Sequence, residues 1–62
     1  MEFTVCFVEN GIRTSTIVDI EESVLGVDAN STPQDIVAKA YYLLHKEYDK
    51  KGRFISISAN FK

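Results

Sequence analysis

The chain has 62 residues and a mass of 7.0 kDa, which suffices for one domain and leaves no room for a second with its own core. Hydrophobic residues make up 45% of it and charged residues 26%, so the composition is that of a folded domain and excludes a disordered tail or a fibre. The formal net charge of -2 argues against a protein built to coat nucleic acid.

The sequence contains no pattern typical of a membrane anchor or an export signal. The longest apolar run covers residues 5–8, far short of the roughly 20 apolar residues that span a bilayer. Glu2 stands where a secretory signal would carry Lys or Arg, so we expect a soluble, cytoplasmic protein. Cys6 is alone and cannot form an internal disulfide, so stability must come from packing, from a partner copy or from both.

A β-hairpin is predicted at the start of the chain. Strands over residues 2–9 and 12–20 flank Asn10-Gly11, a pair that accepts positive φ at both central positions of a type I′ turn. A two-residue turn fixes the register so that the numbers of paired residues sum to 21. The apolar side of the first strand is the predicted core face: Phe3, Val5 and Phe7.

Residues 21–31 follow the hairpin and leave three alternatives open: a short helix, a strand or a loop. Gly26 interrupts the stretch, and turn formers come after it. Because a wholly loose connector of this length is unusual in so small a domain, we expect it to be partly packed. Its predicted anchors are Val24, Leu25 and Val27.

A helix is predicted over residues 33–51. Thr32 supplies a capping hydroxyl, Pro33 suits the first helical position, and Asp35 favours the positive end of the helix dipole. Gly52 is placed for a left-handed C-terminal cap. The residues of the apolar stripe recur at spacings of three and four: Ile36, Val37, Ala40, Tyr41, Leu43, Leu44 and Tyr48.

The last predicted element is a strand over residues 53–61, in which apolar and small polar residues alternate. The order strand, strand, helix, strand indicates a single α+β domain of two layers, ββαβ, with the helix on one face of a mostly antiparallel sheet. Pairing the third strand with the second would make a mixed sheet. We favour the order 3-1-2 because it places the most apolar strand in the centre.

The helix can cover only one face of this sheet, and the other face carries few charged side chains. Isolated apolar residues are normal on protein surfaces, so the face could be ordinary surface. A weakly polar face or an open strand edge is also typical of a contact with another chain. We expect Phe54 to be the aromatic anchor of such a contact and Arg13 the polar one. The other predicted partner-binding residues are Val8, Ile17 and Cys6.

Charge is distributed unevenly along the chain. Residues 1–38 hold one basic and seven acidic residues, whereas residues 39–62 hold six basic and two acidic ones. Basic residues that cluster near the helix end could bind nucleic acid, although they also complement the helix dipole. This alternative site comprises Lys46, Lys50, Lys51 and Arg53.

The sequence offers no constellation for catalysis, for a cofactor or for a metal. Cys6 is the only candidate thiol nucleophile and His45 the only candidate imidazole base. We expect the two residues to lie on opposite sides of the sheet. Adjacent Glu21 and Glu22 point apart and do not form an acid–base pair. One His and one Cys cannot build a zinc site, and the glycines are too scattered for a phosphate loop. We therefore predict no enzyme.

The layout of an N-terminal hairpin, one helix opened by Thr32-Pro33 and a closing strand resembles that of several small proteins with which bacteriophages inhibit or redirect host enzymes. The resemblance implies an inhibitor or adaptor encoded by a phage or another mobile element. Together with the residues, it predicts a non-catalytic protein-interaction module whose partner is another protein or a second copy of itself. The alternative is an accessory protein that binds nucleic acid.

Overall fold

The computed structural model describes residues 1–61. It contains strands β1 (Glu2–Glu9), β2 (Ile12–Asp19) and β3 (Arg53–Asn60), and helices α1 (Glu22–Leu25) and α2 (Pro33–Lys51). The strands form one sheet of order β2-β1-β3, and both neighbouring pairs are antiparallel. The predicted α+β class and strand order are confirmed, and pairing of the third strand with the second is excluded.

The hairpin has the predicted turn and register. Asn10 and Gly11 adopt positive φ angles of 53° and 77°, as a type I′ turn requires. Every residue pair between β1 and β2 sums to 21, from Glu2 with Asp19 to Glu9 with Ile12. The two-residue turn therefore determines which β2 residues face the core and which face away from it.

Capping interactions define where α2 begins. The Thr32 hydroxyl accepts a hydrogen bond from the Asp35 amide at 3.2 Å, and the Asp35 carboxylate accepts one from the Thr32 amide at 3.3 Å. This reciprocal pair is a capping box, and Pro33 follows it at the first helical position. The start of α2 was therefore predicted correctly.

Gly52 ends α2 for a different reason from the one predicted. Its φ of 178° is extended, so the predicted left-handed cap is wrong. The β3 strand starts directly after Gly52, whose backbone passes close to the end of β1. A Cβ atom at this position would overlap the carbonyl oxygen of Val8. Glycine is needed here because two backbone segments approach closely.

The core lies between the apolar side of β1 and one face of α2, and the connector contributes to it. Its nine buried residues are Phe3, Val5, Phe7, Ile20, Leu25, Ile36, Ala40, Leu44 and Tyr48. The buried face of α2 is centred slightly away from the predicted stripe, because Tyr41 and Leu43 are exposed. The Phe7 and Tyr48 rings lie 5.0 Å apart and join the middle of the sheet to the end of the helix.

The connector after β2 contains a short helix, which resolves the alternatives left open above. Helix α1 ends at Gly26, whose positive φ of 67° forms a left-handed cap. Leu25 is buried and Val27 packs against the core, so these two predicted anchors are confirmed. Val24 is 61% exposed, and its prediction as an anchor is wrong.

The third strand contains a bulge that the alternating sequence does not reveal. Phe7 pairs with Phe54 and Cys6 pairs with Ser56, so Ile55 is an extra residue in β3. The prediction that Phe54 lies on the uncovered face is therefore wrong, because its side chain lies on the helix side and packs against the core.

Two contacts account for this position of Phe54. Its ring makes an edge-on contact with that of Tyr41, with the centroids 5.2 Å apart. Its amide donates a hydrogen bond of 3.0 Å to the Asp49 carboxylate in the last turns of α2. Placing the aromatic ring under α2 removes apolar area from water, which favours the bulge over regular alternation.

Helix α2 does not lie over the whole sheet. Its backbone comes close to those of β3 and β1 but not to that of β2. Of the β2 residues on the helix side, Val18 and Thr16 are half-buried, whereas Thr14 and Ile12 are exposed. The outer strand β2 is therefore open on its helix side near the hairpin turn.

Candidate functional site

One face of the sheet is left open by the helices; we call it the uncovered face. Among residues 1–61, the helices lie on the other side of the sheet, against the core side of β1. The strand register assigns these residues to the uncovered face: Glu2, Thr4, Cys6, Val8, Arg13, Ser15, Ile17, Asp19, Arg53, Ser56, Ser58 and Asn60. The centre of this face is small and weakly polar, so it differs from the charged outer face of most antiparallel sheets.

The structure brings four of the five predicted partner-binding residues together on this face. Val8 and Cys6 are half-buried in the central strand, and Arg13 and Ile17 are exposed on β2. Ile17 is 64% exposed, so its side chain is available for contact with another chain. Phe54 is absent from this group because of the bulge, and Arg53 lies beside Val8 on this face.

Charge on the uncovered face is separated end to end. Arg13 and Arg53 flank Val8 near the hairpin turn. Glu2 and Asp19 lie opposite each other at the other end. Asp19 accepts a hydrogen bond of 3.1 Å from the terminal amine of Met1, which forms the only ion pair within residues 1–61. The face therefore has a basic end and an acidic end.

The outer edge of β2 carries backbone groups that no other strand within residues 1–61 satisfies. Met1 and Ile20 exchange two backbone hydrogen bonds of 2.8 Å and 2.7 Å, so this pair is of the hydrogen-bonded type. Hydrogen-bonded and non-bonded pairs alternate along an antiparallel ladder, so the even-numbered residues of β2 bond to β1. The residues whose N–H and C=O point outward are Arg13, Ser15, Ile17 and Asp19, and we call this set the β2 edge.

The β2 edge lacks the features that usually protect a free strand. Strand β2 is eight residues long and has no proline and no bulge in its pairing with β1. The charged residues of the β2 edge, Arg13 and Asp19, lie near the two ends of the strand. Large apolar side chains are exposed on both sides of it, with Ile12 67% and Ile17 64% exposed. Such an edge is a template for pairing with another chain.

Three of the four predicted nucleic-acid residues lie on α2, and the fourth lies on β3. Lys46, Lys50 and Lys51 are exposed on the last turns of α2, and the Lys51 amine lies 5.3 Å from the centre of the Tyr48 ring. Arg53 belongs to the uncovered face, beside Val8. The four residues are therefore divided between the end of the helix and the sheet.

Cys6 and His45 lie on opposite sides of the sheet, as expected. Cys6 is on the uncovered face, whereas His45 is on α2, where its Nδ1 lies 2.8 Å from the Tyr41 carbonyl oxygen and its ring stacks on that of Tyr41. Within the described part of the chain, no three His, Cys, Asp or Glu side chains are grouped as metal ligands.

Sequence reasoning missed a second exposed apolar surface, a shallow groove of about 320 Å³ between α1 and α2. Its residues are Val24, Leu25, Ala38, Lys39, Tyr42 and Leu43. Tyr42 is 76% exposed. The Lys39 amine donates a hydrogen bond of 3.0 Å to the carbonyl oxygen of Gly26, at the end of α1. The adjacent pair Tyr42-Leu43, which widens the apolar stripe beyond one face, is the signal that could have indicated it.

The chain matches no family model, and no curated protein or solved structure matches it significantly. No helix within residues 1–61 combines the length and the apolar character needed to cross a bilayer.

Proposed function

We propose that this protein is a non-catalytic interaction module that binds another polypeptide along the β2 edge and through the adjoining β2 side chains of the uncovered face. The observation that carries this proposal is an eight-residue outer strand whose outward backbone groups have no partner strand within residues 1–61 and which has Ile12 and Ile17 exposed on its two sides. The partner is a second copy of the chain or a larger protein that the module inhibits or links to others. We expect this interaction to take place in the cytoplasm.

Strand addition is the binding mode that this surface supports best. An incoming strand would bond the outward N–H and C=O groups of β2, which supply affinity without requiring a deep pocket. Ile12 and Ile17 would then contact side chains of the added strand and lose their exposure to water. The element order, which resembles that of small bacteriophage inhibitors, supports the inhibitor or adaptor form of the proposal.

Binding of nucleic acid is the alternative, and the structure offers it less support. The Asp49 carboxylate lies among the lysines of α2, and Arg53 lies on the uncovered face. Contacts with phosphate groups would make binding strongly dependent on salt, whereas strand addition would not. A gel-shift titration at two salt concentrations therefore separates the alternatives, and tight salt-sensitive binding of DNA or RNA would support the second.

The decisive test compares edge variants as baits in affinity purification from cells that encode the protein. Ser15→Pro removes an outward N–H and places a ring on the β2 edge without removing a bond to β1. Ile17→Lys adds a charge to the same edge. Ser58→Lys is the matched control, because Ser58 and Ile17 pair with Thr4 from opposite sides on the same face.

We expect wild type and Ser58→Lys to retain the same stoichiometric protein partner, and both edge variants to lose it. Circular dichroism would verify that all variants fold. A partner that folded Ser15→Pro and Ile17→Lys still retain at the wild-type level would contradict binding at this edge.

A further inference from the structure

We propose that the occupant of the β2 edge is a second copy of this chain, with the two β2 strands antiparallel and Arg13 of each copy opposite Asp19 of the other. This inference rests on the proposed function and specifies its partner. It follows from three properties of β2: the direction of its backbone groups, the position of its charges and the exposure of its isoleucines.

The backbone groups restrict how two β2 strands can pair. Because only the odd-numbered residues of β2 direct N–H and C=O outward, the hydrogen-bonded pairs of the new ladder must join odd-numbered residues to odd-numbered residues. The register proposed here joins Arg13 to Asp19 and Ser15 to Ile17, and by symmetry the reverse. Each of these pairs exchanges two hydrogen bonds, so every outward group of β2 is satisfied.

Charge selects this register among those that the backbone allows. A shift of two residues in one direction would place Arg13 opposite Ile17 and leave Asp19 opposite Gly11 of the turn. A shift in the other direction would place Ile17 opposite Ile17 and carry Arg13 beyond the end of β2. Only the proposed register brings the two charges of β2 opposite each other, and it does so twice because the pairing is two-fold symmetric.

The same register gives both exposed isoleucines apolar neighbours. On the helix side, Ile12 lies opposite Ile20 of the second copy, and Thr14 lies opposite Val18. On the uncovered face, the two Ile17 side chains become diagonal neighbours across the symmetry axis, within reach of each other. Ile12 and Ile17 are 67% and 64% exposed in the single chain, so these contacts bury much of the apolar surface that β2 leaves in water.

Pairing in this way produces one continuous sheet of order β3-β1-β2-β2-β1-β3. A two-fold axis perpendicular to the sheet keeps both α2 helices on one side and both uncovered faces on the other. Since the α2 backbone lies closer to β3 and β1 than to β2, the helices lie away from the axis and leave room for the two β2 strands to meet.

The test uses charge reversal at the two positions. R13D places acids opposite each other across the interface, and D19R places arginines opposite each other. We expect each reversal to weaken self-association in sedimentation velocity by about tenfold, because two symmetric attractions become repulsions. An equimolar mixture of the two variants restores attraction at both positions, so it should form a one-to-one heterodimer of wild-type affinity in native mass spectrometry.

Arg53→Asp is the matched control. Arg53 has the same charge and lies on the same face as Arg13, but it belongs to β3 and lies away from the proposed interface. We expect this variant to dimerise like wild type. Arg13 has no hydrogen-bonded or ion-paired partner within residues 1–61, so R13D should fold normally even if D19R is destabilised by losing the bond to Met1.

Two results would overturn this inference. One is a wild-type chain that stays monomeric at every concentration up to its solubility limit. The other is a dimer that R13D leaves intact. If the wild type is monomeric but Ser15→Pro still abolishes retention of a different protein, the second copy is excluded and the proposed function stands. If Ser15→Pro retains every partner, the proposed function itself is wrong.

Discussion

At the scale of single residues, Phe54 shows how one extra residue in a strand changes a surface. The bulge at Ile55 moves the Phe54 ring from the uncovered face to the helix side, where it contacts Tyr41. A substitution at Phe54 should therefore affect the stability of the monomer and not its association. A substitution at Ile17 should affect association and not the stability of the monomer, because Ile17 is exposed on the uncovered face in the single chain.

We expect Phe54→Ala to lower the free energy of unfolding by about 2 kcal/mol, less than for a fully buried phenylalanine because Phe54 is only partly buried. Ile17→Ala is the control and should change it by less than about 0.5 kcal/mol in dilute protein, where the chain is monomeric. Urea unfolding followed by circular dichroism measures both values. Equal decreases in the free energy of unfolding for Phe54→Ala and Ile17→Ala would contradict the assignment of Phe54 to the helix side.

The regular alternation of residues 53–61 explains why this bulge could not be predicted. Period-two patterning assigns Phe54 and Ser56 to the same face, and the structure separates them. The adjacent pair Phe54-Ile55 is the one local signal, because two large apolar neighbours interrupt an alternation with serine. The position of Gly52 was read correctly as the end of α2, but its close approach to Val8 depends on β1, which is distant in the sequence.

At the scale of elements, local chemistry was sufficient to predict the hairpin and the start of α2. The Asn10-Gly11 turn and the Thr32–Asp35 capping box act within a few residues of the chain, so the sequence carries the whole signal. The buried face of α2 was predicted less well. Its orientation depends on where the helix meets β1 and β3, and spacing alone does not provide that information.

The capping box makes a second stability prediction. Thr32→Ala removes the hydroxyl that accepts a hydrogen bond from the Asp35 amide. We expect this substitution to lower the free energy of unfolding by about 1 kcal/mol. In a domain of this size, the loss corresponds to a decrease in Tm of about 4–8 °C. Differential scanning calorimetry measures this shift.

The control for this prediction is Gln34→Ala, which alters an exposed residue of the same helical turn and should leave Tm nearly unchanged. If Thr32→Ala has no larger effect than Gln34→Ala, the capping box does not stabilise α2.

At the scale of the whole molecule, the offset of α2 towards β3 is the feature on which the proposed interaction depends most. The sequence predicted one covered face and one uncovered face, and it identified four residues that the structure places together on the uncovered face. It could not predict that β2 would be open on its helix side near the hairpin turn, since this depends on how a single helix is positioned over three strands. The open edge of β2 was expected from the predicted strand order, whereas the exposure of Ile12 on the helix side became evident only from the packing.

Pairing along a free strand edge can add stability that a small core does not supply. A chain of about 60 residues buries only about 60% of the surface that it exposes when unfolded, so its own core supplies little stability. Pairing along β2 would add apolar burial and satisfy the outward backbone groups in the same step. We therefore expect stability and association to be linked, with Tm rising as the protein concentration increases.

Amide hydrogen exchange of β2, followed by NMR over a concentration series, tests the central claim most directly. In dilute protein, the outward amides of Arg13, Ser15, Ile17 and Asp19 should exchange fast, while those of Thr14, Thr16 and Val18, bonded to β1, remain protected as an internal reference. As the concentration rises, we predict that the outward amides become protected together. Outward amides that exchange equally fast at all concentrations, with or without a bound partner, would contradict an interaction through the β2 edge.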